Sequence, residues 1–348
     1  MILKEVSVVM CTCNAGEYLR PQLDSVLAQT YPIKEIVVQD DCSTDNTMDI
    51  LREYQKQYPH IRLFQNTERK GINCNFFSAI GKAASQYIAL SDQDDIWRAD
   101  KIEKLICNIG DNWCCFHGSQ HFHGKPDFHA TDTRQLNFGL ERLIFIGSVP
   151  GHAMLIDKIL FNMVTEKWDE EKLRAMEKTI YFDTILSSVA TAYGKTVYIP
   201  EILVYHRVHP DSVTTLNRRD LSKRTVKNAV LLVLRNLSPK WRKNIRPFIK
   251  ERMKVFSCLI NDLTPPHCVH TQEAKNIIGC YLGHKPFRLL RFTCLMVRNR
   301  NRIFYAPENN QFVATLRALC FPITMYDFFA RAYRNEVKRK QNTTNYQL

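Results

Sequence analysis

The chain has 348 residues, 45% of them hydrophobic, enough to bury one large core and a smaller second unit. Its formal charge of +13 is unevenly spread: residues 1–220 carry 24 basic against 29 acidic side chains, and residues 221–348 carry 24 against 6. A split of −5 against +18 turns the second part toward a polyanion, either nucleic acid or an anionic membrane. No stretch reaches the roughly 18 apolar residues of a membrane span, and Lys4 and Glu5 precede too short an apolar run for a secretory leader. The twelve cysteines are dispersed without a C-x-x-C pair. They fit reduced thiols in a cytoplasmic protein, placed there or at the inner face of a membrane, better than a disulfide framework.

In chain order, Val6–Cys11 is a β-rich run followed by a polar turn, and Leu19, Leu23, Val26 and Leu27 then recur at helical spacing. Glu35–Gln39 is a second strand ending in Asp40 and Asp41, after which Ser43 or Thr44 can cap a helix running to about Tyr58. Ile61–Gln65 predicts a third strand, Asn73–Ala84 a third helix and Gln86–Leu90 a fourth strand. Further strands are expected at Trp113–Phe116, His152–Ile156, Thr196–Ile199 and Ile202–His206, with a helix over Thr179–Ala192. Beyond Leu221 the alternation stops and the sequence is helical, basic and aromatic. The expected division is therefore residues 1–220 and 221–348. Strands alternating with helices define an α/β fold, a mostly parallel sheet with flanking helices.

In such sheets ligands bind outside the carboxyl ends of the strands. Three of those ends are polar or acidic here: Thr12-Cys13-Asn14, Asp40-Asp41, and Ser91-Asp92-Gln93-Asp94-Asp95. Carboxylates this close repel unless a cation is present. Hard divalent ions such as Mg²⁺ or Mn²⁺ take such oxygen ligands together with substrate phosphates. A D-x-D at a strand end therefore suits a metal–diphosphate site.

At this point a resemblance becomes specific. The run "VSVVMCTCNAGEYLRPQLDSVLAQTYPIKEIVVQDDCSTDNTMDIL" is similar to the opening of family 2 glycosyltransferases, which have the Rossmann-like GT-A fold. "YIALSDQDDIWRADKIEKL" resembles their metal-binding segment in the form of bacterial rhamnosyltransferase-like members, and the match runs on through "VPGHAMLI", "YFDTIL" and "VYHRVHPDSVT" to about residue 215. The resemblance implies that Thr12 and Asn14 line the nucleotide pocket, with Asp40, Asp41 and Asp92 on the base or ribose. It makes Asp94 and His209 metal ligands and Asp183 the catalytic base. It implies an inverting transfer of a sugar, first of all rhamnose from dTDP-rhamnose and otherwise a hexose from a UDP donor, to a growing polysaccharide or lipid-linked glycan. Cys42 stands where the family has glycine, and Phe182 where an acidic residue or histidine precedes the base.

Asn75, His152 and Arg207 are expected near the substrate, with Asn73 and His206 as further candidates; each could equally be structural. Cys114, Cys115, His117, His121, His123 and His129 crowd one segment but match no zinc spacing, and a strand with a turn at His123–Pro126 explains them as a hairpin. The interleaved basic and aromatic residues beyond Leu221 suit an interfacial helix on anionic lipid, and no nucleic acid partner is expected. Two rival classes remain: a nucleotidyltransferase, against which "CTCNAGEYL" lacks a phosphate loop, and a nucleic-acid-binding protein acting through its basic end, which leaves the acidic strand ends unexplained.

Overall fold

The computed structural model describes residues 3–127, 139–145, 149–209, 236–284, 286–304 and 311–345. Two units divide the chain: residues 1–134 with 148–208, and residues 135–147 with 209–348. The first holds an eight-stranded sheet in the order β3-β2-β1-β4-β7-β6-β8-β5. Its strands are β1 (Val6–Thr12), β2 (Glu35–Asp40), β3 (Ile61–Gln65), β4 (Tyr87–Ser91), β5 (Ile96–Trp97), β6 (Cys114–Phe122), β7 (Met154–Asp157) and β8 (Thr196–Arg207).

β3, β2, β1 and β4 run parallel, joined by α1 (Leu19–Leu27), α2 (Thr47–Gln57) and α3 (Ile72–Lys82). Both faces of β1, β2 and β4 are covered, which is why they read as near-continuous apolar runs. Val8, Val38, Leu19 and Leu51 meet in the core between sheet and helices. α4 (Lys101–Ile109) follows β5. β7 runs antiparallel between β4 and β6, whereas β6 and β8 are parallel. The carboxyl ends of β1, β2, β4, β6 and β8 and the amino end of β7 therefore share one edge of the sheet.

The structure changes two expectations. The two segments on either side of Pro200 are one strand, β8, which continues through a register shift against β6. Pro200 is exposed there, where a missing N–H costs no ladder bond. The strand at Cys114 does not stop at Phe116: β6 runs on to Phe122 and pairs with the distant β7 and β8, while the return arm of the expected hairpin, beyond residue 127, lies outside the described residues. Among the described residues it brings together no metal-sized group of donors; His129 lies outside them.

After β7 come α6 (Ile159–Thr165), α7 (Glu170–Met176) and α8 (Phe182–Ala192). The second unit is helical. It comprises α5 (Leu140–Leu143), which interrupts the sheet in sequence, and α9 (Pro239–Leu263), α10 (Val269–Leu282), α11 (Arg288–Arg298), α12 (Arg300–Ile303) and α13 (Gln311–Asn345). Its core is aromatic: Phe145 sits edge-on to Phe292 and Phe321, with ring centroids 6.1 and 5.1 Å away. Buried Arg252 donates to the carbonyls of Leu143 and Ile144 at 3.0 and 2.9 Å, satisfying the end of α5. No helix among the described residues is long and apolar enough to cross a membrane.

Candidate active site

The loops at the common sheet edge are tied together by side chains. Asp40, fully buried, accepts from Thr12 Oγ1 (2.9 Å) and from Ser43 Oγ and N (2.5 and 2.9 Å). Asp41 accepts from Asn66 Nδ2 and from the backbone N–H groups of Lys70 and Gly71 at 2.7–3.0 Å. Asn14, at φ 53, accepts from Thr44 N at 2.8 Å, while its own N–H donates to Ser43 Oγ. Gln93 grips both backbone groups of Cys13, accepting from its N at 2.6 Å and donating to its O at 3.2 Å. The three polar strand ends therefore form one framework. Cys42, at φ 58, adopts the left-handed backbone that glycine would take without strain.

The candidates on α3 hold this framework rather than project from it. Asn75 donates to Gln39 O and accepts from Asn66 Nδ2, and Asn73 donates to Leu173 O and Ile180 O. Glu177 accepts from the N–H groups of Ile72 and Asn73, placing a carboxylate at the amino end of the helix. Gly71, at φ 84, takes a left-handed backbone that side chains rarely adopt, and a Cβ there would press on that carboxylate at 2.9 Å.

Beyond β4 the charged groups converge. Asp92, Asp95, His152 and His206 each offer a donor atom within 4.8 Å of the others. Asp95 has no exposed surface. Its Oδ1 lies 2.8 Å from His206 Nδ1 and 3.1 Å from Arg207 N, and its Oδ2 lies 3.3 Å from His152 Nδ1. His152 Nδ1 is closer to Asp92 Oδ2, at 3.0 Å, and can serve only one acceptor well. Asp95 Oδ2 is left buried without a hydrogen bond, as is His152 Nε2. Such a set of orphaned carboxylate and imidazole atoms fits a divalent cation.

Electrostatics follow the geometry. Burial alone would push the His206 imidazole down, but its hydrogen bond to Asp95 and the charges of Asp95, Asp92 and Asp94 outweigh burial and raise it to about 9. Burial would likewise raise the Asp95 carboxyl, yet His152, His206 and the Arg207 N–H hold it below the usual range. The two imidazole rings stack at 4.6 Å. Beneath them Lys101 is fully buried, with its Nζ 2.6 Å from His152 O and 3.3 Å from the Trp97 ring centroid. Burial lowers that ammonium well below the lysine range, against the pull of Asp95 and Asp92.

Asp183 stands in the first turn of α8, 8% exposed, with Oδ1 accepting from Thr184 N at 2.6 Å. A Cβ on Gly151 would fall 2.5 Å from Phe182 Cζ and 3.7 Å from Asp183 Cβ, so Asp183 lies against the turn that carries His152. Phe182 stacks on Phe76 at 3.7 Å. Its ring is spent on packing, which explains an apolar residue before the candidate base.

Asp94 lies outside the four-residue group; its carbonyl accepts from Arg207 Nε at 3.0 Å. The Arg207 guanidinium also rests over Tyr18 and Phe122 at 5.2 and 4.9 Å. His209 follows β8 and falls in the second unit. The strand ends alone place Asp95 among crowded carboxylates and give it no partner. The signal that finds it is the pairing of Ile96 with Tyr205, which puts the residues before and after them side by side.

The fold and this edge define a glycosyltransferase of the GT-A class. Residues 7–160 match the family model described as Glycosyl transferase family 2. TuaG of Bacillus subtilis (strain 168), named as a glycosyltransferase of teichuronic acid biosynthesis, is 37% identical over 227 residues, 63% of this chain and 85% of its own. The chain belongs to glycosyltransferase family 2. The dTDP-rhamnosyl transferase RfbG of Shigella flexneri is 37% identical over 113 residues, which cover 31% of this chain and 39% of RfbG. The crystal structure of S. aureus TarS 1-349 in complex with UDP superposes with a TM-score of 0.54 over 97% of this chain and 92% of that one. At 16% identity this likeness shows the fold alone.

Proposed function

We propose that the chain is an inverting, metal-dependent glycosyltransferase that moves rhamnose from dTDP-rhamnose to a growing polysaccharide or lipid-linked glycan. The observation that carries the reading is the four-residue Asp/His group beside Asp183. Similarity to a dTDP-rhamnosyl transferase supports the donor, and similarity to TuaG, named for teichuronic acid biosynthesis, supports a growing glycan as acceptor.

Asp92, Asp95, His152 and His206 would hold the cation, which when bound would neutralise charge on a departing nucleoside diphosphate. Two imidazoles beside two carboxylates lean toward Mn²⁺ over Mg²⁺. Asp94 and Arg207 flank the group, and the permanently charged guanidinium suits a diphosphate. Thr12, Asn14, Asp40 and Asp41 shape the nucleotide side mainly by fixing its loops. Asp183 accepts the proton of the acceptor hydroxyl as that oxygen attacks the sugar carbon from the face opposite the diphosphate. A general base of this kind contributes roughly 10²–10⁴-fold, and alignment of donor and acceptor adds to it. The basic second unit is read as the part that meets an anionic membrane surface.

The test is release of nucleoside diphosphate from a panel of dTDP- and UDP-sugars, with Mn²⁺ or Mg²⁺ and with or without glycolipid acceptor. Turnover of dTDP-rhamnose that chelation abolishes is expected, and a preference for a UDP-hexose would reassign the donor. Asp183→Asn should abolish transfer and leave donor affinity intact. Lost affinity with intact turnover of bound donor would remove Asp183 from the base role.

A further inference from the structure

We propose that the second unit contacts an anionic phospholipid surface through Pro286–Arg291 and the outward face of the first half of α13. This rests on the membrane reading of that unit and names the residues that carry it.

Eight of the ten exposed large apolar side chains among the described residues fall between residues 237 and 319, although the sheet unit is the larger of the two. They are grouped. Pro286, Phe287, Arg288, Leu289, Leu290 and Arg291 are six consecutive exposed residues, in which two arginines bracket a pair of leucines and an aromatic ring precedes them. Phe287 is 78% exposed, Leu289 67% and Leu290 62%. Phe287 is moreover held at φ 57, a left-handed backbone that an aromatic residue rarely adopts. An aromatic side chain kept in water on a strained backbone, at the entry to α11, is ordinary neither for a solvated loop nor for a core.

On α13, Phe312, Leu316 and Leu319 lie at i, i+4 and i+7 and are 75%, 51% and 49% exposed. Ala314, Ala318, Phe321 and Met325 fill the opposite, buried face. This helix is apolar on both sides, and one side faces outward. α11 and α13 pack against each other, so both sets belong to one helical layer.

The occupant is fixed by charge. Residues 221–348 carry 24 basic and 6 acidic side chains. Lysine and arginine stems can lie along acyl chains while their heads reach phosphate, and the apolar groups between them enter the boundary. A protein partner would need acidic groups around an apolar centre; an anionic bilayer supplies both at any orientation within its plane.

The experiment is co-sedimentation of the full chain with vesicles of phosphatidylcholine alone or mixed with phosphatidylglycerol, at low and high salt. Binding to the mixed vesicles alone, weakened by salt, is expected. Leu289→Ser with Leu290→Ser should lower partition at least ten-fold, and Arg288→Gln with Arg291→Gln about five-fold per cation removed. All four side chains are exposed, so melting temperature and donor turnover should stay at wild-type values. Wild-type partition in both double variants would overturn this assignment while leaving the membrane reading in place. A wild-type chain that ignores every vesicle would sink both. Retention on RNA without vesicle binding, or a dimer that the serine variants dissociate, would give the surface to a nucleic acid or a second copy and overturn the proposal.

Discussion

Asp95 lies deepest in the proposed cation site, facing His206, His152 and the Arg207 N–H with no exposed surface. Replacing it with asparagine takes the carboxylate away from His206, His152 and the Arg207 N–H and leaves them facing a neutral amide. Removal of one partner of a buried pair costs about 3–5 kcal/mol, so Asp95→Asn should lower the melting temperature by several degrees. Calorimetric titration should show Mn²⁺ binding lost in the same variant; full Mn²⁺ affinity would exclude Asp95 as a ligand. Lys101 acts at one remove. Its Nζ donates to the carbonyl of His152 from a fully buried position. Lys101→Met should weaken Mn²⁺ affinity about 10–100-fold, as supporting groups around metal ligands do, with kcat at saturating metal close to wild type. Equal loss of kcat at every metal concentration would give Lys101 a different role.

At the scale of elements, one carboxylate joins the entries of four strands. Glu35 on β2 accepts from Ser7 of β1 (2.7 Å), Arg62 of β3 (2.5 Å) and the N–H of Ala84 ahead of β4 (2.5 Å). Burial would raise the Glu35 carboxyl, but these donors hold it below its ordinary 4.5. A depressed acid stabilises the fold above its unfolded value, and that contribution is lost as pH falls through the folded value. Unfolding by urea should therefore become easier as pH falls below about 4.5. Glu35→Gln should be less stable at neutral pH and flatter over the acid range; an unchanged acid slope would assign the loss to other carboxylates.

The same elements show why some of the architecture is legible in sequence. β1 and β2 announce themselves because each is a short apolar run closed by turn residues with its helix next in line, and β4 because its apolar run ends in a cluster of aspartates. Asp92 and Asp183 stand out in the sequence because they sit in recurrent motifs, although the family resemblance puts Asp92 on the nucleotide and Asp94 on the metal, whereas Asp92 is the one that joins the Asp/His group. The Asp95–His206 contact is not, because it depends on β5 pairing with β8 across more than a hundred residues. Neither is the role of Phe182, whose fit against Gly151 and Phe76 is a matter of packing that no spacing encodes.

Over the whole molecule, charge is divided as sharply as structure, with 24 basic against 6 acidic groups beyond residue 220. Attraction of exposed cations to an anionic surface fades within about 8–10 Å at physiological salt. Transfer to an acceptor embedded in anionic vesicles should therefore fall as salt rises, while transfer to a detergent-free soluble acceptor fragment should not. Parallel salt curves for the two acceptors would detach catalysis from the charged unit.

The late pairing of β8 with β6 also orders events in time. A growing chain can close β1 to β4 through neighbouring helices, and with them the Thr12–Asp40 and Gln93–Cys13 ties. The proposed cation group waits for residue 206, which lies 111 positions beyond Asp95. Closing so long a loop is slow and comes only after the local units have formed. On the proposed reading, a ribosome-bound fragment stopped before β8 would carry the tied loops of the sheet edge without His206, and competence to bind a divalent cation would appear only once β8 is made.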